Sequence, residues 1–173
     1  MTTRLHLGCG NKYKPGWVNV DHESELADQR VDLSILPWPW ESNSVDEVLM
    51  EHILEHFERP EFILREVHRV LKPGGLLTVT APHAEAIDAH YIDHKSFLSR
   101  LFFNGFCAPT PHYWVRRNAC AFEEIKYRVQ LFKFGRIRWT PFDLIASRFP
   151  IFWEMVSFGP FRPTEITWVA RKP

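Results

Sequence analysis

The segment LHLGCGN, residues 5–11, is an apolar run that leads directly into a glycine-containing turn. Residues 4–7 therefore read as a short strand that ends at Gly8. The next apolar run, WVNVD at residues 17–21, follows after only the six residues 11–16. A crossover between parallel strands normally needs a dozen or more residues and a helix. We expect this first connection to be a turn instead of a helix.

A strand–helix–strand unit follows in the first half of the chain. Residues 44–50 read as a buried strand, and residues 59–71 as the clearest helix, because their apolar side chains share one face. Pro60 suits the first turn of that helix, and KPGG at residues 72–75 is expected to end it with a flexible turn. Residues 76–81 then read as a strand. Repeated units of this kind predict a parallel α/β sheet.

The other segments are less regular. Residues 31–33 read either as the end of a third short strand or as a loop. LPWPW at residues 36–40 cannot be helical, because each proline favours an extended conformation in the residue before it. Residues 124–134 alternate well enough for a long strand, and residues 164–170 read as a final strand. We expect these two late strands to close the sheet as an antiparallel pair.

Composition excludes several classes of protein. Lys plus Arg equals Asp plus Glu at 21 each, so the chain has no overall attraction to nucleic acid or to anionic membranes. The three cysteines, Cys9, Cys107 and Cys120, are odd in number and widely spaced, which indicates a reducing cytoplasm. A basic leader and a long apolar run are both absent, so we expect neither export nor a membrane span.

The glycine turn is a candidate ligand site, because open α/β sheets bind ligands at the ends of their strands. The third glycine of G-x-G-x-x-G is absent, since Tyr13 takes its place, and no G-K-[ST] follows. Without a helix start to hold a pyrophosphate, the turn favours a ligand that carries no phosphate. Asp21 can accept hydrogen bonds from two ribose hydroxyls, and the pair Asp32 and Leu33 can border an adenine ring. The alternative for each acid is an ordinary loop residue.

Four segments in this order resemble the small, type 11 group of class I S-adenosylmethionine-dependent methyltransferases. They are LHLGCGN at 5–11, NVD at 19–21, LPWPWESNSVDEVLMEHILEHF at 36–57 and ILREVHRVLKPGGLLTVTAPH at 63–83, about half of the chain. The resemblance implies an α/β fold, a single Rossmann-like methyltransferase domain with a mostly parallel seven-stranded sheet. It implies the strand order 3-2-1-4-5-7-6 with strand 7 antiparallel, here with a shortened N-terminal part.

The same resemblance implies S-adenosylmethionine as the cofactor. The cofactor-binding residues that it implies are Gly8, Cys9, Gly10, Asn11, Asp21, Asp32, Leu33, Met50 and Glu51. The glycine turn would line the methionine part of the cofactor, and Asp21 would hold the ribose. Asp32 and Leu33 would lie near the adenine, and Met50 and Glu51 beside the cofactor at the end of the fourth strand.

Methyl transfer needs an aligned acceptor and, for a hydroxyl acceptor, a base that removes the proton. Histidine titrates in the required range, and the candidate catalytic residues are His56, His83 and His94. The pairs Glu51–His52 and Glu55–His56 are four residues apart, which predicts that they share one face of a helix. His90 and His94, with His83, form a metal-binding alternative, and a structural role is another. We assign no metal from the sequence.

The predicted function is transfer of a methyl group to a small-molecule or sugar-like acceptor by one domain, residues 1–173. Residues 1–83 would form the cofactor-binding half, and residues 84–173 the acceptor half that completes the sheet. We expect no nucleic-acid or membrane partner, and the aromatic-rich second half makes a homodimer an option. The alternative is a non-catalytic or partner-dependent cofactor-binding subunit, which the shortened first part of the chain suggests.

Overall fold

The computed structural model describes residues 2–109, 111–131, 141–151 and 163–173. The strands are β1 (Arg4–Leu7), β2 (Val18–Asp21), β3 (Gln29–Arg30), β4 (Val45–Glu51), β5 (Leu71–Pro82), β6 (Glu123–Gln130) and β7 (Glu165–Arg171). The α-helices are α1 (Pro60–Val70), α2 (Arg100–Asn104), α3 (Tyr113–Arg117) and α4 (Pro141–Arg148). Two short 3-10 turns occupy Leu54–His56 and Ile87–His90.

All seven strands belong to one sheet with the order β3-β2-β1-β4-β5-β7-β6. The neighbours from β3 to β5 pair in parallel, and β7 pairs antiparallel with both β5 and β6. This is the predicted order, with the last strand inserted antiparallel, so the predicted fold class is confirmed. The carboxyl ends of β1, β2 and β4 consequently meet at one edge, where ligands of such sheets bind.

Helix α1 forms where the apolar periodicity predicts it. Pro60 stands in its first turn, where the missing N–H of proline is not needed, and His68 and Arg69 stand in its last turn. Its inner face buries Ile63, Leu64 and Val67 against the sheet, with at most 3% of each residue exposed. The helix therefore holds the β4–β5 crossover against the central strands.

The connection between β1 and β2 contains no helix, as predicted. Of the two alternatives for residues 31–33, the structure shows the loop, because the third strand lies at Gln29–Arg30. Another expectation needs correction. The segment 72–75, expected to be a turn, lies inside β5. Leu71 already pairs with Val45 of β4, and the register of the β4–β5 ladder then shifts at a bulge. Strand β6 ends at Gln130, and residues 132–134 of its predicted extent lie outside the described residues.

The two faces of the sheet differ in burial. Alternate residues of β5 and β7 are fully buried, among them Leu77 and Trp168 at 0% exposure, and they pack in the same core as α1. The residues between them, such as Thr78, Thr80 and Val169, remain half-buried. This alternation is typical of strands that bury only one face. Among the described helices, none has the length and apolar character that a membrane crossing requires.

Candidate active site

A cleft of about 540 Å³ opens at the carboxyl edge of β1, β2 and β4. One wall comes from the turn after β1, the end of β2 and the loop after β3. The opposite wall comes from the segment between β4 and α1, the start of α1, and Lys95. The lining residues used below are Gly8, Asp21, Asp32, Leu33, Ile53, His56, Glu58, Arg59 and Lys95.

Gly8 is required by both its conformation and its surroundings. Its φ is +66°, a region that residues with a side chain rarely adopt. A Cβ at this position would lie 2.5 Å from Cγ1 and 2.8 Å from Cβ of Ile53. The segment after β4 therefore packs directly on the turn after β1, and only glycine fits beneath it.

Asp21 closes the glycine turn onto the end of β2. One carboxylate oxygen accepts the N–H of Gly10 at 2.9 Å, and the other accepts the N–H groups of Glu23 at 3.0 Å and Ser24 at 3.1 Å. Partial burial by itself raises the pKa of Asp21, but these three N–H groups outweigh it and hold the pKa below its ordinary value. Asp21 is thus an ionised hydrogen-bond acceptor at the cleft.

The loop after β3 forms the adjoining wall. Leu33 is buried, and its carbonyl oxygen accepts the indole N–H of Trp38 at 3.0 Å, which fixes the loop. Asp32 is exposed and accepts hydrogen bonds from the hydroxyl and the backbone of Ser34. These hydrogen bonds lower the pKa of the Asp32 carboxyl. The wall thus combines one apolar side chain with one ionised carboxylate.

The other residues that the sequence assigned to the cofactor do not line this cleft. Cys9 and Met50 are buried in the protein, and Gly10 and Asn11 are exposed. Glu51 lies 3.2 Å from the ammonium of Lys14 and 3.5 Å from Nε2 of the buried His6. The structure therefore brings Gly8, Asp21, Asp32 and Leu33 together at the cleft and places these five residues around it.

His56 lines the wall opposite Asp21. It does not share a helical face with the Glu51–His52 pair as predicted, because Glu51 ends β4 and His52 turns the chain with a φ of +57°. The 3-10 turn Leu54–His56 then delivers the imidazole. Its Nδ1 lies 3.2 Å from the carbonyl oxygen of Asp93 and 3.4 Å from the Asp93 carboxylate. Since both oxygens only accept, they favour the tautomer that carries the proton on Nδ1 and leave Nε2 free.

The other two predicted histidines occupy different surroundings. The ring of His94 packs edge-on against His56, with centroids 4.8 Å apart. His83 is 1% exposed, and its Nδ1 accepts the backbone N–H of Glu85 at 3.1 Å. The structure therefore brings His56 and His94 together, whereas His83 lies within the fold and does not line the cleft.

His52 differs from these histidines in its charge. The hydrogen bond to the carboxylate of Glu165, at 3.1 Å, and the Glu55 carboxylate, at 3.5 Å, raise the pKa of His52 to about 9. His52 is an imidazolium at neutral pH and cannot accept a proton there. It is therefore excluded as a base, although its sequence context resembles that of His56.

Sequence reasoning missed several residues that line the cleft, among them Ile53, Arg59 and Lys95. Ile53 carries no chemical signal, and its role depends on its packing against Gly8. Lys95 stands next to His94 in the sequence, and its backbone N–H donates to the carbonyl oxygen of Glu55 at 2.8 Å. That contact holds the segment around His94 against the 3-10 turn.

Residues 12–79 match the family model of the methyltransferase domain. No curated protein sequence gives a match. Among solved structures, an S-adenosylmethionine-dependent methyltransferase from Thermotoga maritima is similar over 100% of this chain and 83% of its own, with a TM-score of 0.65 and 18% identity. The complex of the Trm112 methyltransferase activator from Haloferax volcanii with a methyltransferase is similar over 99% and 83%, with a TM-score of 0.57 and 18% identity. The cyclase SpnF is similar over 99% and 75%, also at 0.57 and 18%.

At these identities the solved structures show the fold alone, which is the class I, Rossmann-like fold of S-adenosylmethionine-dependent methyltransferases. Residues 12–79, less than half of the chain, carry the sequence pattern of the methyltransferase domain.

Proposed function

We propose that this enzyme transfers a methyl group from S-adenosylmethionine to a small-molecule or sugar-like acceptor. The observation that carries the proposal is the cleft itself, which has Gly8 and Asp21 on one wall and His56 on the other. In this proposal the chain acts as one domain, with residues 1–83 binding the cofactor and residues 84–173 forming the acceptor side.

The residues of the first wall suit the cofactor. Gly8 lacks the Cβ that would collide with Ile53. Because its backbone is bare, a ligand in the cleft can also approach the turn closely. A carboxylate offers about four acceptor positions, and backbone N–H groups take three at Asp21, which leaves room for one ribose hydroxyl. Leu33 supplies an apolar surface for the adenine. When bound, the cofactor supplies an electrophilic methyl group on a sulfonium.

His56 is the group that removes the acceptor proton. Its Nδ1 is held by Asp93, so Nε2 can accept a proton from an acceptor hydroxyl or ammonium in the cleft. His83 is not proposed as a base, because it is buried away from the cleft lining. Asp93 acts as a positioning residue that fixes the orientation of the ring.

A small, polar acceptor suits the rest of the cleft. Glu58, Arg59 and Lys95 place charges of both signs on the acceptor side. The balanced overall charge of the chain does not favour a nucleic-acid acceptor. The relative from Thermotoga maritima is described as a possible histamine N-methyltransferase, which is a small-molecule activity on the same fold.

The first test is calorimetric titration with S-adenosylmethionine of the wild type, Asp21→Asn and the control Asp88→Asn. Asp88 is an exposed acid on the 3-10 turn Ile87–His90, outside the cleft lining. Loss of a hydrogen bond to a charged acceptor should weaken binding by about 10–100-fold in Asp21→Asn and leave Asp88→Asn unchanged. Equal affinities for all three proteins would contradict the assignment of Asp21.

The second test is transfer of labelled methyl groups to a panel of small polar acceptors. His56→Gln should lower kcat by about 100-fold or more with little change in cofactor affinity, because a general base contributes about that factor. His90→Gln is the matched control, since His90 is exposed and does not line the cleft. An unchanged kcat in His56→Gln would remove His56 from the mechanism.

A partner-dependent subunit is the second candidate function. It is favoured by the similarity to a methyltransferase complex with the Trm112 activator and by the half-buried outer face of β5 and β7. In that case the isolated chain should bind the cofactor without consuming it in any acceptor screen. Light scattering would show in the same experiment whether the chain forms the homodimer suggested by its aromatic-rich second half.

A further inference from the structure

We propose that Glu55, His56 and His94 bind a divalent transition-metal ion, with Zn²⁺ as the best match. One ligand atom from each of these residues lies within 4.8 Å of the other two. A carboxylate with two imidazoles is a donor set that suits zinc and related ions. This set differs from the sequence-based alternative, because it includes Glu55 and does not include His83 or His90.

Glu55 is the strongest reason for the proposal. The residue is 1% exposed, and neither carboxylate oxygen has a hydrogen bond among the described residues. The imidazolium of His52 has its Nδ1 3.5 Å from Oε1 of Glu55 and does not satisfy Oε2. The His52 imidazolium therefore balances the charge of Glu55 on one side, whereas the buried Oε2 has no partner among the described residues and can accept a metal ion.

The two histidines complete the cluster, and one of them also has an unsatisfied nitrogen. Nδ1 of His94 is buried and makes no hydrogen bond within the described residues. The His56 and His94 rings are nearly perpendicular, at 87°, with centroids 4.8 Å apart, and one nitrogen of each lies within 4.8 Å of a Glu55 oxygen. Ligands at about 2.1 Å from a tetrahedral ion lie about 3.4 Å apart, so ligand atoms that are up to 4.8 Å apart would close by as much as about 1.4 Å on binding.

The backbone holds the two contributing segments together. The carbonyl oxygen of Glu55 accepts the N–H groups of Lys95 at 2.8 Å and Ser96 at 3.1 Å. The segment that carries His94 is therefore tied to the 3-10 turn that carries the other two ligands. The backbone therefore already brings the three side chains together, and binding requires movement of the side chains.

Asp93 provides the outer partner that metal-bound histidines usually have. It holds Nδ1 of His56 through its carbonyl oxygen and its carboxylate, at 3.2 and 3.4 Å. Metal-ligating histidines typically donate one N–H to such an acceptor and bind the ion through the other nitrogen. A metal bound through Nε2 and a proton taken up at Nε2 exclude each other, so metal binding by the wild type would also contradict the assignment of His56 as the general base.

The test is metal binding by the purified, chelator-treated full chain, titrated with Zn²⁺ and with Co²⁺ as the spectroscopic probe. We expect one equivalent of Co²⁺ with visible ligand-field bands, displaced by Zn²⁺. Affinity should fall by about 100-fold or more in His94→Ala and Glu55→Gln and by about 10-fold in Asp93→Asn. The control His90→Ala should bind like the wild type.

Three results would overturn the site. They are no binding by the wild type at about 100 µM metal, undiminished binding in both His94→Ala and Glu55→Gln, and an equal loss in His90→Ala. Circular dichroism checks that each variant folds, and His94→Gln replaces His94→Ala if the latter does not. Since the readout is metal binding, it stands or falls independently of the methyl acceptor and of cofactor binding.

Discussion

Gly8 joins two parts of the active site at the scale of a single residue. It combines a φ of +66° with the contact of Ile53, so both its backbone and its missing side chain are used. Gly16 has a φ of +80°, but nothing lies within 4 Å of the point that a Cβ would occupy there. A side chain at Gly16 would therefore meet only the strain of a positive φ, whereas one at Gly8 would also collide with a neighbour.

We predict that Gly8→Ala costs about 1–3 kcal/mol more than Gly16→Ala in the free energy of unfolding, because only the first adds a collision with Ile53 to the strain. Cofactor affinity should fall in Gly8→Ala and stay unchanged in Gly16→Ala. Urea denaturation and calorimetry measure the two effects. Equal destabilisation by both variants would show that Ile53 gives way freely.

At the scale of elements, the LPWPW loop at residues 36–40 is held against α1 by one ion pair. A single carboxylate oxygen of Glu66 accepts the backbone N–H of Trp38 at 2.8 Å and two N–H groups of Arg69 at 2.9 and 2.6 Å. Arg69 in turn donates to the carbonyl oxygens of Trp38 and Trp40. Because Trp38 also holds Leu33, the helix indirectly positions one wall of the cleft.

We predict that Glu66→Ala destabilises the protein by about 2–3 kcal/mol, since it leaves a buried N–H and a partly buried guanidinium without their acceptor. Glu41→Ala, an exposed acid in the same loop, should change stability by less than about 0.5 kcal/mol. Chemical denaturation measures both. A small effect of Glu66→Ala would mean that water replaces the carboxylate.

The same elements show how far the sequence leads. Apolar patterning locates β1, β2, β4 and α1 within a residue or two, and the motif resemblance supplies the strand order. The pairing of Gly8 with Ile53 and of Glu55 with His94 could not be predicted in this way. These contacts join residues far apart in sequence, and they depend on how the segment after β4 turns at His52. The four-residue spacing of the pairs Glu51–His52 and Glu55–His56 wrongly predicts a shared helical face, because the turn at His52 lies between them.

At the scale of the whole molecule, hydrogen bonds from the residue after β7 connect the last strand to the first half of the chain near His68. The Lys172 ammonium donates to the carbonyl oxygens of His68 at 2.7 Å and Leu71 at 2.8 Å and to the side chain of Asn43 at 2.7 Å. The His68 ring packs edge-on against Phe122. Burial, with the nearby Lys172 charge, lowers the pKa of His68 to about 4.

This pKa predicts a pH dependence of stability. Above about pH 6.5 His68 is neutral in both the folded and the unfolded chain, so the full stability is present. As the pH falls from 6.5 towards 4, only the unfolded chain takes up the proton, and the free energy of unfolding decreases. Between pH 7 and pH 4, the free energy of unfolding should fall by about 1–2 kcal/mol less in His68→Gln than in the wild type. The exposed control His90→Gln should follow the wild type. Parallel curves for wild type and His68→Gln would contradict the assignment.

The position of β7 also limits the order in which the protein can fold. Within the described sheet, β6 pairs only with β7, yet β6 is synthesised well before β7. Until β7 inserts, β6 has no place in the sheet, and β5 presents an unpaired edge on the side away from β4. The nascent chain can therefore assemble β1 to β5 first, whereas β6 stays unpaired until synthesis reaches β7.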